Sequence, residues 1–359
     1  MESDKIMDRA AQFSGTKEVD SKLSLDHGPI EKYLKNLLGN DTSLLDIKQF
    51  KGGQSNPTYL LQTNVRNFVL RRKPPGKLLA SAHAVDREYK VISALNKTDV
   101  PVPKTYDLCE DASVAGTTFF LMDHVDGNIF WDLLLTKCSA EERNKIYWSM
   151  NDTIAKLHNT DFKSIGLGDY GKYENYMARQ ITRWSKQYKD SETTLIPEMD
   201  NLIQWLPENI PSGEETSIVH GDFRLDNMVF DKNTNEVIAI LDWELSTLGH
   251  PIADFTYHMM TWKMPLAVQG IGILGANLKE LNIPNEDEYA EAYYRKTNRN
   301  EIQNWNFFLA YNMFRLAGIT QGIAGRVRDG TASSDQAKQY GAFVPILAKM
   351  AWQTVQAIK

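Results

Sequence analysis

Between residues 220 and 244 the chain reads HGDFRLDNMVFDKNTNEVIAILDWE, a strand-like stretch carrying carboxylates and an Asn where strand packing alone asks for neither. Asp222 stands in a short loop after TSIVHG, Asn227 opens the next strand, and Asp242 ends the strand after that. Adjacent antiparallel strands can set Asn227 and Asp242 side by side at a loop end, with Asp222 facing both. Asn and Asp oxygens are the hard donors that hold Mg2+ on nucleotide phosphates, while a separate Asp can orient a substrate hydroxyl and accept its proton. Each residue taken singly is also a turn former or a strand-end cap. That reading does not require His220, Asp222, Asn227 and Asp242 together, so phosphoryl transfer is the expectation, with His220 bracing the loop through hydrogen bonds.

Two other patterns lose their context. GIGILG at residues 270–275 matches G-x-G-x-x-G, but WKMPLAVQ precedes it and NLKELNIP is too short a helix for a βαβ unit. Asp231, Asn233, Asn235 and Asp242 mimic an EF-hand loop, yet Glu236 occupies the position of the turn glycine and a strand would run through the loop. A hairpin turn is expected there.

Upstream, FKGGQSNPTY reads as strand, glycine turn and strand, in which backbone N–H groups with Ser55 and Asn56 could approach phosphates. An ordinary hairpin fits equally well. FVLRR follows, and strand alternation allows only one of Arg71 and Arg72 to point inward. Arg71 is the expected inward cation, paired with Glu88 on the next helix, where Glu88 is expected on the polar side. The pair could hold the α- and β-phosphates of a nucleotide.

These residues need elements to position them. Residues 1–27 are expected as a polar arm without regular structure. Residues 28–123 read as a helix, an antiparallel meander, a helix with Val85, Tyr89, Ile92 and Leu95 on one face, and the buried strand TTFFLMDHV: a small sheet-bearing N-lobe. Residues 124–359 read as a mainly helical C-lobe, interrupted only by NMVFD and VIAILDWE. The fold class is therefore α+β. His158 closes one apolar-striped helix and is expected as a packing or capping residue. Arg326 and Arg328 in GRVRDG are either a solvated helix end or an anion site for substrate.

Lys plus Arg number 40 against 46 Asp plus Glu, a formal charge of −6, so no nucleic-acid partner is expected and an anionic ligand needs a local basic pocket. Cys109 and Cys138 have no CxxC spacing, and no run reaches the roughly 18 apolar residues of a membrane span. A cytoplasmic protein with no membrane partner is expected; the oligomeric state stays open.

The order of motifs resembles the aminoglycoside phosphotransferase/choline kinase-like family, from about Gly28 to the end of the chain. HGDFRLDN followed by LDWE is similar to that family's catalytic and metal loops. The resemblance implies a two-lobed protein-kinase-like fold, ATP and Mg2+ as cofactors, Asp222 as catalytic base and Asn227 and Asp242 as metal ligands. It also implies a hinge whose backbone from Met122 through Asp123 to Val125 faces adenine, and a structural role for Asp254. GGQSNPTYLL, LRRKPPGKLLASAHAVDREY and DWELSTLGHPIADF resemble the kinase-like domain fused to some acyl-CoA dehydrogenases and its stand-alone bacterial relatives. Arg71 stands where the wider family has Lys, as in that subgroup, and its broader fork changes the phosphate geometry. The subgroup implies a hydroxylated acyl-CoA acceptor, with 4-hydroxyacyl-CoA leading; an amino alcohol, sugar or aminoglycoside is the alternative. A kinase-like scaffold that binds nucleotide or partner protein without turnover is the rival class.

Overall fold

The computed structural model describes residues 12–52, 56–75, 84–266, 272–299, 303–330 and 341–358. A six-stranded antiparallel sheet, in the order β1-β2-β3-β4-β6-β5, builds the N-lobe. Its strands are β1 (Thr16–Lys17), β2 (Leu44–Phe50), β3 (Thr58–Thr63), β4 (Asn67–Arg72), β5 (Thr105–Cys109) and β6 (Phe119–Asp123). The β3–β4 hairpin turns where Thr63 Oγ1 accepts from the Val65 and Arg66 amides at 3.2 Å, a short side chain replacing a backbone turn bond.

Alternation along β4 divides its side chains between two cores. Phe68 and Leu70 join Ile30 and Leu34 of helix α1 (His27–Leu38) on the outer face. Val69 belongs to the inner core, continuous with the second lobe through helix α2 (Val85–Leu95). Arg71 follows Val69 inward; Arg72 goes outward, donating to the Leu23 and Ala115 carbonyls at 2.7 Å. One cation is thus delivered to the cleft and the other consumed in structure.

Part of the expected arm is built into this lobe. β1 pairs with β2, Asp20 N donates to Gln49 Oε1, Phe13 stacks on Trp131 at 5.6 Å, and Trp131 Nε1 donates to Ser14 Oγ. Residues 12–26 therefore correct the expectation of an unstructured arm, because a polar segment can be held through its backbone and a single aromatic ring. Residues 1–11 lie outside the described residues.

The second lobe is helical. Helix α3 (Ala140–Asn159) begins with a capping box between Ser139 and Glu142 and buries Ile146, Met150, Ile154 and Leu157 on one stripe. Helix α7 (Glu286–Lys296) packs on it, while α4 (Tyr176–Ser191), α5 (Pro197–Glu208), α6 (Pro251–Lys263) and α9 (Val344–Gln356) pack on the long helix α8 (Trp305–Arg328). Two small strand pairs interrupt the helices: β7 (Ser217–Val219) with β10 (Thr247–Gly249), and β8 (Met228–Phe230) with β9 (Val237–Ile240). Among the described residues no helix is long and apolar enough to cross a membrane.

Candidate active site

β7 carries the chain to His220-Gly221-Asp222, and its partner β10 follows Asp242-Trp243-Glu244, so one strand pair fixes both acidic loops. Leu241 N donates to the Asn227 carbonyl at 2.8 Å, which sets Asn227 beside the residue preceding Asp242. Asn227 ends a short 3-10 turn and does not itself open β8. Gly221 has φ +81°, and a Cβ there would stand 2.8 Å from the Leu245 carbonyl oxygen, so the turn into Asp222 needs glycine twice over.

The Asp222 carboxylate meets two hydrogen-bond donors and one cation. Tyr257 OH donates to Oδ1 at 2.6 Å, Arg224 Nε lies 3.0 Å from the same oxygen, and Asn227 Nδ2 donates to Oδ2 at 3.0 Å. Burial pushes this carboxyl up, but the Arg224 guanidinium, the Tyr257 hydroxyl and the further cation Arg315 outweigh it, and Asp222 is held below the usual carboxylate range. Arg224 also reaches Asp226 at 3.3 Å. Arg315, on α8, donates to the Gly221 carbonyl at 2.6 Å and lies over the Tyr257 ring.

Behind the loop stands Asp254 on α6. Its oxygens accept the backbone N–H of His220 at 2.7 Å and of Gly221 at 2.8 Å, and His158 Nε2 lies 3.3 Å away. Burial opposes ionisation of Asp254, but His158 and the two amides leave its carboxyl lowered. Burial lowers His158, so its ring is neutral; Nε2–H faces the carboxylate and Tyr293 OH donates to Nδ1 at 2.6 Å. His220 Nδ1 accepts the Asp222 amide, leaving Nε2–H to donate to the Leu241 carbonyl at 2.9 Å. One imidazole thereby ties the Asp222 loop to the Asp242 strand.

Across the cleft, Arg71 Nε lies 2.8 Å from Glu88 Oε2, an ion pair in which the N–H is not aligned as a hydrogen bond. Its Nη2 donates to Asp242 Oδ1 at 2.8 Å. Burial works against the Arg71 charge, but Glu88, Asp242 and Glu244 outweigh it; Glu88, pushed up by burial, is pulled back by Arg71 and Asn56 without returning to its ordinary value. Glu88 is 2% exposed, which corrects the expectation that it lies on the polar side of its helix: the Arg71 guanidinium draws it inward. Asn56 is corrected too. It is fully buried and donates to Glu88 Oε1 at 2.9 Å, so its side chain orients the ion pair and does not face the cleft. Ser55 lies outside the described residues.

Met122 is paired in β6 with Val69 and Thr105. Asp123 turns its carboxylate to Tyr106 OH and Arg66, and the Asp123 and His124 amides are given to the Lys104 and Asn67 carbonyls. Val125 is the first residue of the expected hinge past these commitments. Arg326 and Arg328 lie at the far end of α8, about 16–20 Å along the axis from Arg315 by helical rise, and Arg328 donates to the Glu192 carbonyl and pairs with Asp329. They are not brought to Asp222. Of the expected decoys, Asp231 Oδ1 accepts the Asn233 and Thr234 amides in a hairpin turn, and residues 270 and 271 of GIGILG lie outside the described residues.

The donor set suits a hard divalent cation. Asn227 spends its amide nitrogen on Asp222 and retains its amide oxygen, and the Asp242 side chain is 40% exposed; two oxygen donors beside phosphate and water oxygens are what Mg2+ takes. Asp242 itself has φ +63°, in the left-handed region.

A small antiparallel sheet over a helical lobe, with an acidic loop pair in the cleft, defines a kinase-like phosphotransferase. The chain belongs to the phosphotransferase enzyme family, whose model matches residues 46–292. It is 42% identical over 339 residues to mouse acyl-CoA dehydrogenase family member 10, covering 94% of this chain and 32% of that protein. The chain spans less than half the length of the acyl-CoA dehydrogenase relatives it matches. A solved structure of a candidate aminoglycoside phosphotransferase from Ralstonia eutropha JMP134 is 48% identical, with TM-score 0.87, over 94% of this chain and 100% of that one. A ternary complex of aminoglycoside phosphotransferase APH(4)-Ia with ADP and hygromycin B, 15% identical with TM-score 0.58 over 90% and 98% of the two chains, shares the fold.

Proposed function

We propose that this chain transfers the terminal phosphoryl group of ATP, with Mg2+, to the hydroxyl of a small molecule, a hydroxylated acyl-CoA with 4-hydroxyacyl-CoA as the leading candidate. The observation that carries the transfer reading is the Asp222 carboxylate, held ionised by Tyr257, Arg224 and Asn227 one loop away from Asp242. The acceptor oxygen forms its bond to phosphorus as the bond to the bridging oxygen breaks and the electron pair leaves with the diphosphate. Its proton passes to Asp222. A magnesium ion held by the Asn227 amide oxygen and the Asp242 carboxylate supplies positive charge to the phosphate oxygens when bound. Arg71, oriented by Glu88 and Asn56, supplies a fixed cation on the opposite wall, and the backbone at Val125 meets the adenine edge. Asp254 and His220 hold the loop in place, so positioning and electrostatics do most of the catalysis.

The acceptor reading is supported by the relatives named as acyl-CoA dehydrogenase family members. In it, Arg326 and Arg328 are remote anion contacts that only a long acceptor spans. Radiolabelled ATP incubated with a chain-length series of 4-hydroxyacyl-CoAs tests both levels. Label on the acyl-CoA is expected; label on an amino alcohol or sugar alone sinks the acceptor and leaves the transfer standing.

A further inference from the structure

Directly behind the catalytic loop lies a cavity of about 60 Å³. Its wall is formed by Phe223 and Leu225 of the loop, Tyr147 and Met150 of α3, Met260 of α6 and Leu316 of α8. Two further wall residues, Tyr257 and Arg224, are the ones whose polar atoms touch Asp222 Oδ1. The cavity therefore adjoins the carboxylate that receives the acceptor's proton.

Its charges cancel among themselves. Asp226 is answered by Arg224 at 3.3 Å, and Arg224 is shared with Asp222. His258 is held neutral by burial, down at about 4, with Nε2 against Tyr289 OH at 2.9 Å. Thr261 adds one hydroxyl. An ammonium entering here meets no unanswered carboxylate and lies beside the Arg224 cation, whereas methylenes meet side chains that gain by covering them.

We propose that this cavity is a tail pocket for the acceptor, selecting a hydroxyl whose carbon carries a short unbranched apolar segment and rejecting amino sugars. The inference rests on the phosphotransfer reading and names its acceptor class. By volume the pocket holds about two water-sized groups, so selectivity rises over roughly the first two carbons and then levels. Each methylene within that range strengthens binding about fourfold.

The test uses the full chain with 13C-labelled methionine methyls and a homologous series of straight-chain alkan-2-ols as probes. The Met150 and Met260 methyl resonances shift saturably, with affinity climbing about fourfold per carbon and then levelling. Thr261→Leu and Leu316→Phe, at two half-buried wall positions, fill the pocket and abolish the shifts while melting cooperatively. Kanamycin moves neither resonance. Unmoved methyls with every alkanol, equal binding by both filled variants, or shifts caused by kanamycin overturn the tail pocket. Calorimetry with the ATP analogue AMP-PNP and Mg2+ on the same samples reads the transfer hypothesis separately: absence of nucleotide binding sinks that reading whatever the methyls do.

Discussion

Two buried carboxylates, Glu88 and Asp254, flank the cleft and are satisfied in opposite ways. Glu88 faces Arg71, which also holds Asp242, whose side chain reaches solvent. Asp254 faces two backbone N–H groups and a neutral imidazole, all buried. The first is an open chain of charges whose end can exchange Arg71 for another partner as a phosphate or a cation arrives. The second is closed, and every contact it makes fixes the backbone around Asp222. The cleft thus sets an ion pair that reaches solvent against a carboxylate closed inside the fold.

Asp222, the proposed base between them, gives the largest effect. Asp222→Asn is expected to lower transfer by about 10²–10⁴-fold while nucleotide and Mg2+ still bind, whereas Asp242→Ala weakens that binding itself. Calorimetry separates them, and equal loss of nucleotide binding in both variants removes the division of roles. Next comes the closed carboxylate. Asp254→Ala strands two buried amides and should cost about 3 kcal/mol of stability, read as a lower urea midpoint, with Asp254→Asn milder. An unchanged midpoint would show Asp254 to be dispensable.

In the ion pair, Arg71→Ala and Glu88→Ala should each raise the KM for ATP yet combine with a coupling of about 1–3 kcal/mol. Additive effects in that double-mutant cycle would mean the pair does not act as a unit. The smallest effect is in the pH profile. Tyr257 helps to lower the Asp222 carboxyl, so Tyr257→Phe should raise it and move the acid limb of kcat upward, with KM for ATP unchanged; an unmoved limb excludes Tyr257 as a positioning residue. The same sign governs stability. Asp222 and Asp254 are both lowered on folding, so their contribution is full above the ordinary carboxylate value of about 3.9 and fades as pH falls through the lowered ones.

What the sequence makes legible is what repeats along it. The β2–β4 meander and the apolar stripe of α3 follow from periods of two and 3.6, while alternation along β4 narrows the inward cation only to one of Arg71 and Arg72. Strand β5 escapes notice because TYDLC at a sheet edge is half-buried throughout, apart from Cys109, and carries no alternation. Glu88 escapes because its inward turn depends on an ion pair with Arg71, not on the helix's own pattern. Arg224 was within reach, two residues after Asp222 in the same loop. Tyr257 and His158 were not: they meet Asp222 and Asp254 across 35 and 96 residues of chain, and only the packing of α3 and α6 against the loop brings them there.

The left-handed backbone at Asp242 has an evolutionary consequence. Sterics there admit Gly, Asn and Asp far more readily than other residues, and of these only Asp offers a carboxylate to a cation. The codon of Asp lies a single base change from those of both Asn and Gly. A descendant can therefore exchange this carboxylate without straining the turn, and on the proposed role of Asp242 as metal ligand it persists as a folded, non-catalytic binder, which makes this one position the shortest road from enzyme to scaffold.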